Sequence, residues 1–397
     1  MRKQQPTVLF CNNVASRYGA ETSLLEMVGA LRGVDPIVLL PNPGPVSDCL
    51  EKQGTRVLIE DLVPRNIFES WHSIARLTRI IRDNGVDLLH LNKAYSNQPL
   101  FVLVARLASW CTGIPLVVHV RGKVMRSRLH QVLLHVSDTV ICVSERTKDE
   151  VFGQPTALPF TGPPKRVTVV YNGRSLDAYR FSPHLRTEMR RRFHLEDDDF
   201  VVATIGYFDP LKGQDRFLAL ARSLLNDGAR IKFLIVGGLE KERNRPYLEM
   251  LQREISEPVL STGVMLTGFV ECKDILSAID VVVSLSETEG LPGVLIEAMA
   301  AERVVIANAV GGIPEILGDE RSGCLVGAGD VAHVKQILLW LASNPEVRQT
   351  MGARACAHVN RRFSADGNAA QIAAIYDRLL TRPLREPRLG HAGFERA

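Results

Sequence analysis

Paired cysteines are missing from this chain. Its seven Cys, at positions 11, 49, 111, 142, 272, 324 and 356, form no C-x-x-C pair and are odd in number. Neither a disulfide framework nor a zinc knuckle is indicated, and a reducing compartment is expected. Long apolar runs are also missing. The run that starts at Leu100 is cut by Arg106, none approaches the ~20 residues of a membrane helix, and the stretch 8–11 is too brief for a secretory signal. A cytoplasmic chain that crosses no bilayer is expected. The net charge of +4 is too small to argue for nucleic acid. There is no G-x-x-x-x-G-K-[ST], no G-x-G-x-x-G after the first apolar run and no G-x-S-x-G, so P-loop, simple dinucleotide-binding and hydrolase readings lose their anchors.

What is present is a chain of 397 residues, 46% hydrophobic and 23% charged, with 30 Gly and 21 Pro. That is the profile of a globular protein of two or so domains, long enough to bury a core without metal or disulfide staples. Charge is uneven. Residues 1–180 hold 22 of the 48 basic and 15 of the 44 acidic residues, a surplus of +7, against −3 for the remainder. Arg121, Lys123, Arg126 and Arg128 form a local basic cluster, which suits either an anionic partner such as a membrane surface or a solvated helix face.

Short β-branched runs alternate with helical patterns, the rhythm of an α/β protein with parallel sheets. In the first half, 8–10, 37–40, 56–59, 88–91, 116–120, 139–143 and 167–170 read as strands, with helices such as 21–31 and 70–84 between them. The rhythm restarts at Asp199, with strands expected at 200–205, 231–236, 264–266, 281–285 and 304–307 and helices at 214–226 and 294–301. Between the halves, 176–199 carries Pro183, a basic run and an acidic run, the composition of a linker with a helix. Asp197-Asp198-Asp199 within it reads as a solvated turn rather than a metal site. His130 and His135 read as packing or surface residues of a helix. The amphipathic stretch 369–380 is followed by an Arg-, Pro- and Gly-rich end expected to be a loose tail.

The sharpest motif is Glu289-Gly290-Leu291-Pro292-Gly293-Val294-Leu295-Ile296-Glu297-Ala298-Met299-Ala300. It leaves a predicted strand and enters a predicted helix, so Glu289 stands at the carboxyl end of a parallel strand, where open α/β sheets bind ligands. Glu297 stands about two turns into the helix. A carboxylate suits the paired hydroxyls of a sugar; taken alone, the pair would be a polar loop residue and an exposed helical Glu. In Gly206-Tyr207-Phe208-Asp209-Pro210-Leu211-Lys212-Gly213, a turn leaving a strand lets backbone amides approach a diphosphate and Lys212 adds a point charge. Gly311-Gly312-Ile313-Pro314-Glu315 is a second glycine turn opening a helix.

These segments resemble the family 4 retaining glycosyltransferases (glycosyl transferases group 1), two-domain enzymes of the GT-B fold, over nearly the whole chain. The Glu289–Glu297 segment is similar to the family's E-x7-E motif, 206–213 to its G-R-L-x-P-x-K-G and 311–315 to its G-G-x-P-E. Tyr18-Gly19-Ala20-Glu21 resembles its Gly-Gly-x-Glu loop, with Tyr18 in place of the first Gly. His90-Leu91-Asn92 stands where the family has H-x-H, and His119 matches the His that contacts the donor sugar. Val143-Ser144-Glu145, Tyr171-Asn172-Gly173, Val236-Gly237-Gly238, Thr267-Gly268-Phe269-Val270 and Arg362-Phe363-Ser364 follow the family's order. Tyr207 takes the place of the usual Arg, which leaves the departing diphosphate to Lys212, to helix N-termini or to another cation such as Arg121.

The resemblance implies two Rossmann-like domains facing a central cleft: an acceptor domain over 1–180, a donor domain over 199–365, a crossover helix over 366–380 packing on the first domain, and a tail over 381–397. It implies transfer from a nucleotide sugar to an acceptor hydroxyl with retention and no metal or cofactor. The expected catalytic residues are Glu289, His119 and Lys212. The expected donor-binding residues are Gly206, Tyr207, Lys212, Gly290, Leu291, Pro292, Gly293, Glu297 and Gly19, with Glu297 on the ribose. Loss of Lys212 or Glu297 is expected to lower turnover without unfolding the chain. The acceptor would be a glycan or lipid-linked molecule of the cell envelope, with possible peripheral contact to an anionic membrane and none to nucleic acid. A GT-B nucleotide-sugar epimerase and a non-catalytic sugar-nucleotide-binding protein are the alternatives.

Overall fold

The computed structural model describes residues 5–16, 19–92, 99–122, 128–153, 166–239, 241–318 and 322–381. The chain divides into two compact units, 1–173 with 365 onward, and 174–364. Each is built on one parallel sheet.

In the first unit the strands are β1 (Thr7–Cys11), β2 (Asp35–Leu40), β3 (Arg56–Ile59), β4 (Leu88–Leu91), β5 (Leu116–Val120), β6 (Thr139–Cys142) and β7 (Val167–Val169), in the order β3-β2-β1-β4-β5-β6-β7. The middle strands are buried on both faces, so they read as unbroken apolar runs rather than alternations. Along β1, Leu9 and Cys11 join a core with Leu77 and Ile81 of the helix Ile67–Asp83 and Phe101 and Val104 of the helix Pro99–Thr112. Val8 and Phe10 point to the other face. There they meet Leu24, Met27 and Val28 of the helix Gly19–Ala30 and Ile372, Ile375, Tyr376 and Leu379 of the helix Ala365–Leu380. Each such apolar side chain contributes about 2 kcal/mol on burial, which holds this last helix on the first sheet.

The second unit carries β8 (Phe200–Ile205), β9 (Ile231–Val236), β10 (Val264–Gly268), β11 (Val281–Ser284), β12 (Val304–Asn308) and β13 (Cys324–Val326), in the order β10-β9-β8-β11-β12-β13. Its core joins Val202, Phe233, Val283 and Ile306 to Phe217, Leu220 and Leu224 of the helix Gln214–Asn226. The short edge strand β13, flanked by Gly323 and Gly327, escapes a search for β-branched runs.

The helix expected within 176–199 is Pro183–Arg192, and this stretch belongs to the second compact unit, which begins at 174. Arg174 N–H donates to Phe363 O at 2.8 Å, and Arg174 bridges Ser364 in parallel. The helix Pro183–Arg192 carries Arg190, 1% exposed, whose guanidinium donates to the carbonyls of Glu196 and Asp199 and to Asp280 Oδ2 at 3.2 Å. Asp199 Oδ2 accepts the Glu196 N–H at 2.8 Å, so that carboxylate closes a turn. The expected tail over 382–397 lies outside the described residues.

Candidate active site

Strand order reverses between β8 and β11 in the second unit and between β1 and β4 in the first. Loops leaving the carboxyl ends of such strand pairs form the ligand crevice of open α/β sheets. Gly206, Tyr207, Lys212, Glu289, Gly290, Leu291 and Pro292 fall on these loops of the second unit and Gly19 follows β1, whereas His119 lies within β5 and Glu297 within the helix after β11.

In the second unit, the loop after β8 and the loop after β11 are tied together. Lys212 Nζ donates to Glu289 Oε1 at 2.7 Å, with side-chain exposures of 21% and 10%. The ammonium also stands 5.0 Å from the Tyr207 ring centroid. Burial works against the charged Lys212, but Glu289 and Tyr207 outweigh it and raise its pKa, so the side chain stays cationic throughout the neutral range. An ammonium has three donors. Glu289 takes one, which leaves capacity for phosphate oxygens, while the second carboxylate oxygen of Glu289 can accept from a sugar hydroxyl.

Close backbone approach sets these loops. A Cβ on Gly311, whose φ is +52°, would lie 1.9 Å from Glu289 O, and one on Gly213, whose φ is +76°, would lie 2.4 Å from Leu285 O. Gly312 N–H donates to Gly290 O at 2.7 Å and Glu287 N–H to Leu211 O at 2.9 Å. Gly206 N–H donates to Val236 O, and Gly237, next to Gly206 O, donates to Gly268 O at 3.1 Å. The glycine loops thus line the carboxyl ends of β8, β9 and β10. Gly290, Leu291 and Pro292 lead into the helix Gly293–Ala300, whose first N–H groups have no partner inside the helix and point toward the same end of the sheet.

Glu297 is the fifth residue of that helix, one turn in rather than two, and it is buried rather than exposed, at 7%. Its Oε1 accepts from Arg174 Nε at 2.8 Å, and the guanidinium lies where a Cβ on Gly293 would be, 1.8 Å from Nη2. Cys272 also hydrogen-bonds this carboxylate; burial first and Glu297 second push its thiol pKa well above the usual value. Glu289 and Glu297 therefore belong to separate charge pairs. Sequence reasoning missed Arg174 and Cys272 because the partners are 123 and 25 positions from Glu297 and follow no local spacing.

In the first unit, candidates from three strand ends meet in a buried polar network. Asn92 Nδ2 donates to Asn12 Oδ1 at 2.9 Å. Arg121 Nε donates to Asn92 Oδ1 at 2.9 Å and Nη1 to Asn172 Oδ1 at 2.6 Å. At 9% exposure, Arg121 belongs to neither a solvated face nor a surface cluster, since its guanidinium is spent on orienting asparagines. Lys123 and Arg126, like Tyr18, lie outside the described residues, as does the Arg128 side chain. Gly19 opens the helix Gly19–Ala30, with no atom of the described residues within 4 Å of where a Cβ would stand.

His119, in β5, is fully buried, with Nδ1 3.3 Å from His90 Nε2. His90 Nδ1 lies 2.6 Å from the hydroxyl of Tyr376. Burial first and Arg121 second hold both histidines well below their usual pKa, so both rings are neutral. His130 is buried and lowered to about 4 by desolvation, and His135 Nδ1 contacts Gln131 O at 2.7 Å. Neither belongs to this network.

Comparison with known proteins places these features in a lineage. The description "Glycosyltransferase Family 4" matches residues 18–178 and "Glycosyl transferases group 1" matches 186–358. The chain belongs to the family 4 glycosyltransferases. Among the relatives of this glycosyltransferase is the D-inositol 3-phosphate glycosyltransferase of Streptomyces scabiei, 26% identical over 404 residues that cover 96% of this chain and 88% of the relative. That of Actinosynnema mirum is 28% identical over 309 residues, 72% of each chain. Among solved structures, Anabaena HepE in complex with UDP superposes with a TM-score of 0.80 at 22% identity, covering 94% of this chain and all of that one. A glycosyltransferase from Rickettsia africae gives 0.84 at 17% identity, covering 96% and 100%. The glycosyltransferase has the α/β GT-B fold. Among its described residues no helix is long and apolar enough to cross a membrane.

Proposed function

We propose that this glycosyltransferase moves a sugar from a nucleoside diphosphate donor to an acceptor hydroxyl with retention of configuration and without a metal. The observation that carries the reading is the Lys212–Glu289 pair at 2.7 Å, held between two glycine loops at the point where strand order reverses. A cation with spare donors next to a carboxylate with a spare oxygen suits a sugar diphosphate, the first for the departing phosphate and the second for the sugar. The bond from anomeric carbon to phosphate oxygen breaks, the acceptor oxygen bonds to the same face, and its proton passes to the leaving diphosphate. Negative charge develops on that leaving group, and preorganised amides with Lys212 stabilise it. Glu297, held by Arg174, is assigned to the ribose hydroxyls, and His119 to a sugar oxygen. The neighbouring solved structures contain UDP and UDP-glucose, so UDP is the first base to try. The relatives' acceptor makes a phosphate-bearing polyol a sensible first acceptor beside envelope glycans and glycolipids.

The test is a thermal-shift panel of UDP, GDP, ADP, CMP and NAD on the full chain. A ligand that binds only the folded state stabilises it by about 2.7 kcal/mol at a hundred times its Kd. One nucleoside diphosphate should stabilise the wild type, and Lys212→Ala should weaken that response. A response to NAD alone, or to no diphosphate, would overturn the reading. Turnover unchanged by EDTA is expected, and loss of turnover on chelation would remove the metal-free part.

A further inference from the structure

A further tie joins the two loops of the second unit, and it comes from a residue outside the motifs. Arg216 is the third residue of the helix Gln214–Asn226. Its Nη2 donates to Pro210 O at 3.3 Å, in the loop that carries Lys212, and its Nε donates to Leu285 O at 3.1 Å, in the loop that carries Glu289. Nη1 donates to Glu287 Oε1 at 2.7 Å. Gly213 makes room for the guanidinium, since a Cβ there would lie 2.8 Å from Nη2 and 2.9 Å from Nε.

Pro210 stands two positions before Lys212, and Glu287 two before Glu289. A lysine ammonium ends a flexible four-carbon stem, so its place depends on how its backbone is held relative to its partner. A planar guanidinium donates in fixed directions to several acceptors at once, which suits holding two loops at one separation. The Glu287 side chain is 57% exposed, so that ion pair contributes little by itself in water. The two carbonyl bonds, made by a side chain 26% exposed, carry the geometry.

We propose that Arg216 is a positioning residue that braces the loop after β8 against the loop after β11, and so presets the spacing of Lys212 and Glu289 before a ligand arrives. The brace stands on these contacts alone, and its consequence for turnover rests on the proposed reading of Lys212 as the cation that meets the diphosphate. With the brace in place, the ammonium needs no reorganisation when charge develops on a leaving group. Without it the two loops separate for part of the time, and affinity falls by the fraction of molecules in which they still meet.

The titration of Lys212 tests the brace by its sign. Reductive carbon-13 methylation of the full chain lets NMR follow this lysine, assigned by its loss in Lys212→Arg. Burial lowers the Lys212 pKa and Glu289 raises it. Removing a neighbouring cation would by itself raise it further, whereas losing the Glu289 contact lowers it. In Arg216→Ala it should fall by about one unit, and Arg216→Lys, which keeps the charge without the fork, should fall likewise. Arg222→Ala removes a cation of the same helix that pairs with Glu254 and Glu257, and the Lys212 titration there should match the wild type. Millimolar ethylguanidinium should restore Arg216→Ala, and ethylammonium should not. A rise or no change in Arg216→Ala overturns the proposal. If the variants do not fold, the wild type decides: the Arg216 Nε–H should exchange slowly with water, and exchange as fast as in a free arginine overturns the brace. UDP affinity and kcat/KM of Arg216→Ala should fall about tenfold, which corresponds to loops that meet in about a tenth of the molecules. If Lys212 titrates as stated and neither falls, the brace stands and the placement of Lys212 on the diphosphate falls.

Discussion

Gly311 and Glu297 show how single residues decide which substitutions report on chemistry. A Cβ on Gly311 would sit 1.9 Å from the carbonyl oxygen of Glu289, in a backbone conformation with φ of +52°. Gly311→Ala must therefore displace the loop that carries Glu289, and a loss of about 2 kcal/mol in urea titration is expected together with loss of diphosphate binding. Gly19→Ala meets no atom of the described residues within 4 Å and should leave stability unchanged or slightly raised, so a drop in turnover there would mark a ligand contact. Glu297→Ala should depart from the expectation drawn from sequence. Its partner Arg174 has a side chain only 2% exposed, and removing the carboxylate leaves a buried cation, a loss of about 3 kcal/mol. Glu297→Gln is the variant that separates ribose binding from folding: it should retain most of the stability, and a midpoint as low as that of the Ala variant would contradict the ion-pair account. The motif was legible at this scale because its residue types and spacing are local. Its charge partners were not, since Lys212 and Arg174 lie 77 and 123 positions away and only the fold brings them in.

Elements were legible where burial on both faces writes an unbroken apolar run, as in Val281–Ser284 and Val304–Asn308. They failed at β13, three residues on a sheet edge; over 176–199 the expected helix is present as Pro183–Arg192, but the stretch belongs to the second unit. Charge along the helix Pro183–Arg192 is real, but Arg190 turns inward to three carbonyls and Asp280. Alternating signs within a short stretch look the same for a solvated linker and for a buried polar clasp. The two differ in what mutation does. Burial lowers the Arg190 pKa and the nearby Arg186 lowers it further, against the carboxylates, so the cation is held at a cost that only its full set of acceptors offsets. Arg190→Ala should destabilise the second unit by about 3 kcal/mol, whereas Arg191→Ala, on the exposed side, should change stability by less than about 0.5 kcal/mol. Equal midpoints for the two variants in guanidinium unfolding would restore the linker description.

The chain as a whole consists of two units with separate apolar cores, and acid should not affect them equally. His90, His119 and His130 all lie in the first unit, and burial lowers the pKa of each from the ordinary 6.5, to about 4 for His130. Such groups are neutral when folded and titrate near 6.5 when unfolded. Above that pH neither state binds the proton and stability does not depend on it. Below it the unfolded chain takes up protons that the folded one refuses, so stability falls with pH by about 1.4 kcal/mol per unit for each histidine. For three histidines the loss between pH 7.5 and 5.5 is about 4 kcal/mol. The three tryptophans make this measurable by unit: Trp71 and Trp110 belong to the first and Trp340 to the second. With Trp340→Phe the remaining fluorescence follows the first unit, and with Trp71→Phe and Trp110→Phe it follows the second. The first-unit midpoint should drop steeply between these pH values while the second moves little, and His130→Leu should remove about a third of the drop. Parallel shifts in the two reporters would mean that these histidines are not held neutral.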